Sequence, residues 1–239
     1  MIKENKTNVF DMIKFPNKEQ REKILEKAEI QNIRFTIVDD KSIFPFIEPK
    51  YSSLICFNNY INSCLIQYIE LYGYYSSDLP QYIPRNDSEL AIRKLLFNQT
   101  AEILYFKICT SFELIGQVIN EVFDLGIKSD DREFIRHLTQ KIKSKNQLIY
   151  GILDKISKNE IYKKAKKYRN DLAHSFSPFV PRAYTEKDKN NVIVEKREAS
   201  VPTNEIIYIL EETILILKQF CIDIEMEIKE YLIQHKITE

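Results

Sequence analysis

Between Asn86 and Leu125 the chain runs for nearly 40 residues with one glycine, Gly116, and no proline. Its apolar residues keep a helical period from Leu90, Ile92, Leu95 and Leu96 onward, so the segment reads as one helix of roughly 58 Å. A bend is expected near Thr110 to Gly116. Asn86 and Glu89, three residues apart, form a candidate capping box at its start. A helix of this length commits the chain to an all-α bundle, and its neighbours agree. Leu54, Phe57, Ile61, Leu65, Tyr68 and Ile69 repeat at helical spacing from Tyr51 to about Tyr72. Asp130 with Glu133 opens a third helix through about Ile156. Ser157 with Glu160 opens a fourth, and Pro202–Thr203 starts a last one carrying Ile206, Leu210, Ile214, Leu217, Cys221 and Ile224 toward Tyr231.

Two regions break this rhythm. Residues 1–50 are irregular, with a short charged helix expected around Lys18 to Ile30, a strand at Ile33 to Val38, and Pro45 and Pro49 as punctuation. After Pro178 and Pro181 the period changes, and residues 182–198 read as a projecting hairpin turning at Asn190-Asn191. The expected architecture is an all-α helical bundle over residues 51–239, with a small β-hairpin insertion near 182–198. Residues 1–50 are expected to be an extension packed on the bundle.

Composition narrows the function. The 35 basic and 35 acidic residues cancel, so any nucleic-acid surface must be local. Four glycines in 239 residues argue against phosphate loops built on glycine. The first residues lack a signal-peptide core, and no stretch approaches 18 uncharged apolar residues; a cytoplasmic protein without a membrane segment is expected. Cys56, Cys64, Cys109 and Cys221 are scattered without CxxC spacing and read as buried free thiols. His137, His174 and His235 lie far apart without a carboxylate-rich ligand pattern, so neither a metal nor another cofactor is indicated, and His137 and His235 read as surface residues.

The zero total hides a polarised chain. From Arg136 to Arg169 there are 11 lysines and arginines against Asp154 and Glu160, whereas Thr203 to Glu239 carries eight acidic and three basic residues. The basic part ends in KKAKKYRNDLAHSF. Ile161, Ala165, Tyr168, Leu172 and Phe176 form the apolar line of that helix. Asn170 and His174 stand one turn apart on a neighbouring face, with Arg169 about 140° round the helix from His174. Two readings are open. The trio can be hydrogen-bond partners of the core, with Arg169 paired to a carboxylate, or it can handle a phosphate.

The stretch RNDLAH, Arg169 to His174, resembles the signature of the HEPN superfamily: an arginine, a polar residue, and a histidine after four to six residues. Its late position in an all-helical chain agrees, and the resemblance covers about residues 51–235. It implies a four- or five-helix up-and-down bundle and a homodimer whose two motifs face each other across a basic cleft. It also implies a metal-independent endoribonuclease of the kind found in toxin–antitoxin, phage-defence or RNA-processing systems, with an antitoxin or regulatory protein as a further partner. The alternative it carries is a helical module that binds RNA or protein without catalysis.

The chemistry is consistent with these residues. The RNA 2′-hydroxyl attacks the adjacent phosphate and leaves a 2′,3′-cyclic phosphate and a 5′-hydroxyl. His174 is the candidate base, Arg169 the group that holds the non-bridging oxygens, and Asn170 an orienting or phosphate-donating side chain. Lys163, Lys164, Lys166 and Lys167 are candidates for contacts with the RNA backbone. Tyr168 falls on the apolar line and is read as core rather than as a stacking platform.

Overall fold

A computed structural model describes residues 16–39, 52–76, 79–81, 83–84, 86–131, 133–175, 177–187 and 193–236. The helices are α1 (Lys18–Lys27), α2 (Ser52–Tyr74), α3 (Ser88–Val122), α4 (Phe134–Lys145), α5 (Gln147–Lys158), α6 (Glu160–His174) and α7 (Thr203–Lys236). Between α6 and α7 lies an antiparallel hairpin, β1 (Arg182–Lys187) and β2 (Ile193–Glu198), paired from Arg182↔Glu198 to Lys187↔Ile193. Its expected turn at Asn190-Asn191 lies outside the described residues.

The architecture is the expected all-α bundle with a hairpin inserted before the last helix. The two long helices, α3 and α7, form its spine. α2 packs along α3, and α6 contacts both α3 and α7. Phe97, Ala101, Leu104, Tyr105, Ile108, Phe112, Ile115 and Ile119 bury the core side of α3, each large side chain contributing about 1.5–3 kcal/mol. Aromatic rings fasten α6 to this spine: Phe112 against Tyr162 at 4.7 Å, and Tyr105 against Tyr168 at 5.6 Å. α3 is helical without interruption through Thr110 to Gly116 and ends at Val122, where Asp124 and then Gly126 take positive φ.

Several local expectations change. Residues 33–38 are not a strand; short 3-10 helices occupy Glu29–Asn32 and Thr36–Asp39. Side chains satisfy the backbone groups that a sheet partner would have taken. Asn58 of α2 accepts from Phe35 N and donates to Phe35 O, while Glu225 of α7 accepts from Ile37 N at 2.6 Å and Thr36 Oγ1 at 2.8 Å. The helix opened by Asp130 is two helices, because Asn146 adopts extended dihedrals and its side chain accepts from Leu148 N and Ile149 N, ending α4 and starting α5. α6 is capped by Asn159, not Ser157, whose hydroxyl instead donates to Asp154 O. Asp87, next to Asn86, caps α3 by accepting from Leu90 N. Cys64, Cys109 and Cys221 are buried thiols, but Cys56 is exposed.

At the N-terminal side, Asn17 and Gln20 close a capping box on α1. Pro16 lies against Gly73 of α2 so closely that any Cβ at that position would overlap the proline ring. Among the described residues no helix is long and apolar enough to cross a membrane.

Candidate active site on helix α6

Asn159 Oδ1 accepts from Tyr162 N at 3.0 Å and sets the start of α6. From there the helix divides by direction. Ala165 and Tyr168 are buried, and Ile161 and Leu172 are half-buried against the core; Phe176, expected on the same line, lies outside the described residues. Tyr168 is only 4% exposed. Its hydroxyl donates to Glu205 at 2.8 Å, its ring meets Phe179 edge-on at 5.7 Å, and burial followed by the Glu205 bond raises its pKa. A ring so enclosed is core, not a base-stacking surface.

On the opposite side, Lys163, Lys167, Asn170 and His174 are all exposed. Their spacings of four, three and four place them on one outward line along α6. Lys166 is exposed beside it and has no ion-pair partner among the described residues. Each of the other lysines meets a carboxylate. Lys163 pairs with Glu160 at 2.8 Å, Lys164 with Glu205 at 2.6 Å, and Lys167 with Asp171 at 2.6 Å. The Lys164 bond and the Tyr168 hydroxyl hold the Glu205 carboxyl below its ordinary pKa against its partial burial. Electrostatically the outward line is mixed rather than uniformly basic.

Arg169 stands at the side of that line, three-quarters buried between α6 and α3. One terminal nitrogen donates to Glu113 Oε1 at 3.1 Å, and the other donates to Asn170 Oδ1 at 3.3 Å. Its Nε is buried without a hydrogen-bond partner. Beneath it lie the Cys109 thiol, pushed up to about 12 by burial despite the guanidinium, and the Tyr162 hydroxyl, also pushed up by burial. The structure therefore joins Arg169 to Asn170 directly. His174, the last residue of α6, has no hydrogen-bond or ion-pair partner among the described residues and points along the outward line.

Glu113 was not among the expected site residues. It interrupts the run ICTSFELIGQVI on the longest helix, and a carboxylate embedded in a core-facing run was the available signal. The identity of its partner was not available from sequence, because Arg169 lies 56 residues away.

His137 makes a separate polar contact. Its Nδ1 lies 2.7 Å from Asp131 and its Nε2 3.6 Å from Glu133, tying the start of α4 to the preceding loop. Among the described residues no three His, Cys, Asp or Glu side chains are grouped to hold a metal ion. Residues 41–230 match the family described as Cthe2314-like HEPN. No curated protein and no solved structure matches the chain.

Proposed function

The chain belongs to the Cthe2314-like HEPN family, and from that premise we propose that it is a metal-independent endoribonuclease of cytoplasmic RNA, active as a homodimer. The observation that carries this reading is the outward line of Lys163, Lys167, Asn170 and His174, with Arg169 anchored beside it. The working domain is taken as residues 51–239, with the hairpin as an insertion and residues 1–50 as an extension.

His174 takes the proton of a ribose 2′-hydroxyl. The O2′ atom then bonds to the adjacent phosphorus, and the bond from phosphorus to the 5′-oxygen breaks. The partner subunit's His174 returns a proton to that leaving oxygen. Arg169 uses the terminal nitrogen now turned toward Asn170 to hold a non-bridging oxygen as charge builds, while Glu113 keeps the guanidinium in place. Asn170 fixes that nitrogen or donates to the phosphate. Lys163, Lys164, Lys166 and Lys167 draw in the strand through its phosphates. An antitoxin or regulatory protein acting on a toxin or phage-defence ribonuclease would cover this same face.

A second reading, a non-catalytic RNA- or protein-binding module, is favoured by one observation: Arg169 and three of the four lysines already hold carboxylates. Incubating the purified chain with mixed RNA in chelator separates the two. Cyclic-phosphate ends that disappear in His174→Ala support the nuclease. RNA retained uncut, with retention lost on substituting Lys163 and Lys166, supports the module.

A further inference from the structure

The hairpin has no part in the chemistry above, yet its base closes a cavity against the end of α6. The cavity measures about 360 Å³ and is lined by Lys167, Asp171, Ser175 and Ser177 on one side and Val180, Arg182 and Val201 on the other. That volume lies in the range of pockets that hold one small molecule. It opens beside the outward line, because Lys167 belongs to both and His174 follows it by two turns on the same side of α6.

The walls are held in place. Phe179 is fully buried against Tyr105 and Tyr168, and its carbonyl accepts from buried Asn98 at 3.1 Å. Val201 N donates to Pro178 O at 2.9 Å and staples the end of the hairpin to the loop after α6. The lining is chemically mixed: a carboxylate, an ammonium, a guanidinium, two hydroxyls and two valines. A second phosphate would meet the Asp171 carboxylate, so the lining suits a neutral heterocycle with both donors and acceptors. Asp171 also sits in the last turn of α6, where the helix dipole disfavours a negative charge; the Lys167 contact offsets that cost.

We propose that this cavity receives a guanine base of the RNA strand next to the phosphate that is cut. Guanine alone among the four bases presents two adjacent donors, N1–H and N2–H, for the two oxygens of one carboxylate. Beside them its O6 accepts from an ammonium such as that of Lys167. The Ser175 hydroxyl at the exposed rim meets the ribose, while Ser177 Oγ accepts from Phe179 N at 3.2 Å and holds the loop, and the valines cover the ring. The proposal rests on RNA as the substrate, and it adds to that reading a preference for cutting beside guanosine.

Binding of GMP, AMP, CMP and UMP to the full chain, followed by calorimetry or NMR titration, tests it without needing cleavage. GMP is expected to bind about 10- to 100-fold more tightly than the others, the discrimination typical of a bidentate base contact. Asp171→Asn removes that margin while His174→Ala leaves it intact. Ser175→Ala, at the exposed rim, lowers affinity for all four nucleotides together, and thermal melts check that each variant is folded. Equal binding of the four nucleotides, no binding, or a GMP margin that survives Asp171→Asn overturns the pocket. RNA cut without preference for guanosine also overturns it and leaves the nuclease standing. Asp171-dependent GMP binding by a chain that cuts no RNA has the reverse meaning.

Discussion

Lys94 is a lysine on α3 with no exposed surface and no carboxylate partner among the described residues. Its ammonium donates to Thr203 Oγ1 at 2.7 Å, at the start of α7, and lies 5.2 Å from the Phe97 ring centre. Burial lowers its pKa from 10.5 to about 8. A depression of this size means that holding the charged form costs the fold about 3 kcal/mol at neutral pH. Lys94→Met keeps the stem's volume and removes the charge. After about 1–1.5 kcal/mol is subtracted for the lost Thr203 bond and ring contact, the variant is expected to be about 2 kcal/mol more stable at pH 7. The pH dependence has a definite sign. Between the folded and unfolded values the unfolded chain binds more protons, so this lysine makes the native protein gain stability as pH rises from about 8 toward 10.5. Between pH 7 and 9 the gap between variant and parent therefore narrows by about 1 kcal/mol. The Cys64 and Cys109 thiols, pushed up to about 11 and about 12 by burial, work in the other direction, but they are common to both proteins and cancel in the difference. Urea titrations at pH 7, 8 and 9 measure the gap. A variant less stable than its parent at pH 7, or a gap that stays constant with pH, would refute the assignment of Lys94 as a buried cation without a counter-ion.

His174→Ala is expected to melt within about 0.5 kcal/mol of the parent, since the side chain is exposed and unbonded, while cleavage of RNA falls at least about 100-fold; a large loss of stability would place the imidazole in the core instead. Glu113→Gln keeps a hydrogen bond to Arg169 but removes its charge partner, costing about 1–3 kcal/mol and loosening Arg169, so kcat drops about tenfold with KM little changed; steady-state kinetics on a short RNA distinguishes this from a purely structural pair. Asn159→Ala removes the cap of α6 and lowers stability by about 1 kcal/mol in denaturant titrations. Gly73→Ala forces a methyl into the Pro16 ring and weakens the docking of α1 by about 1–3 kcal/mol, which limited proteolysis of the first 30 residues detects as faster cleavage.

What the sequence disclosed about the fold followed from repetition. The apolar periods of α2, α3 and α7 extend over several turns, so small errors in the assumed spacing leave their direction unchanged, and the change of period after Pro181 marked the hairpin. Errors arose where one residue decides the outcome. Asn146 divides one helical pattern into α4 and α5 through a single side chain that accepts two backbone N–H groups. Asn159 and Ser157 both resemble caps, and the choice between them depends on which side chain can reach the first free N–H groups. Residues 33–38 read as a strand. The backbone instead found its partners in Asn58 and Glu225, which no local pattern announces.

The candidate site divides along the same boundary. Directions around α6 follow from helix geometry alone, so the separation of Tyr168 from Asn170 and His174 was readable from spacing. The partners of Arg169 and Tyr168 lie 56 and 37 residues away on α3 and α7, and only tertiary packing supplies them. Those partners modify what the basic stretch means without cancelling it. Lys163 and Lys167 are paired within their own helix at side-chain exposures of 51% and 70%, and such surface pairs are worth about 0–1 kcal/mol each. A strand that offers each lysine a singly charged phosphate exchanges readily for them. Arg169 differs, because its side chain is three-quarters buried and its Nε is already dry. Releasing Glu113 would leave a buried guanidinium without its charge partner, so a phosphate must join the Arg169–Glu113 pair rather than replace it. The lysines are exchangeable and the arginine is fixed, a division of roles that suits a strand-attracting surface with one rigid contact for the phosphate.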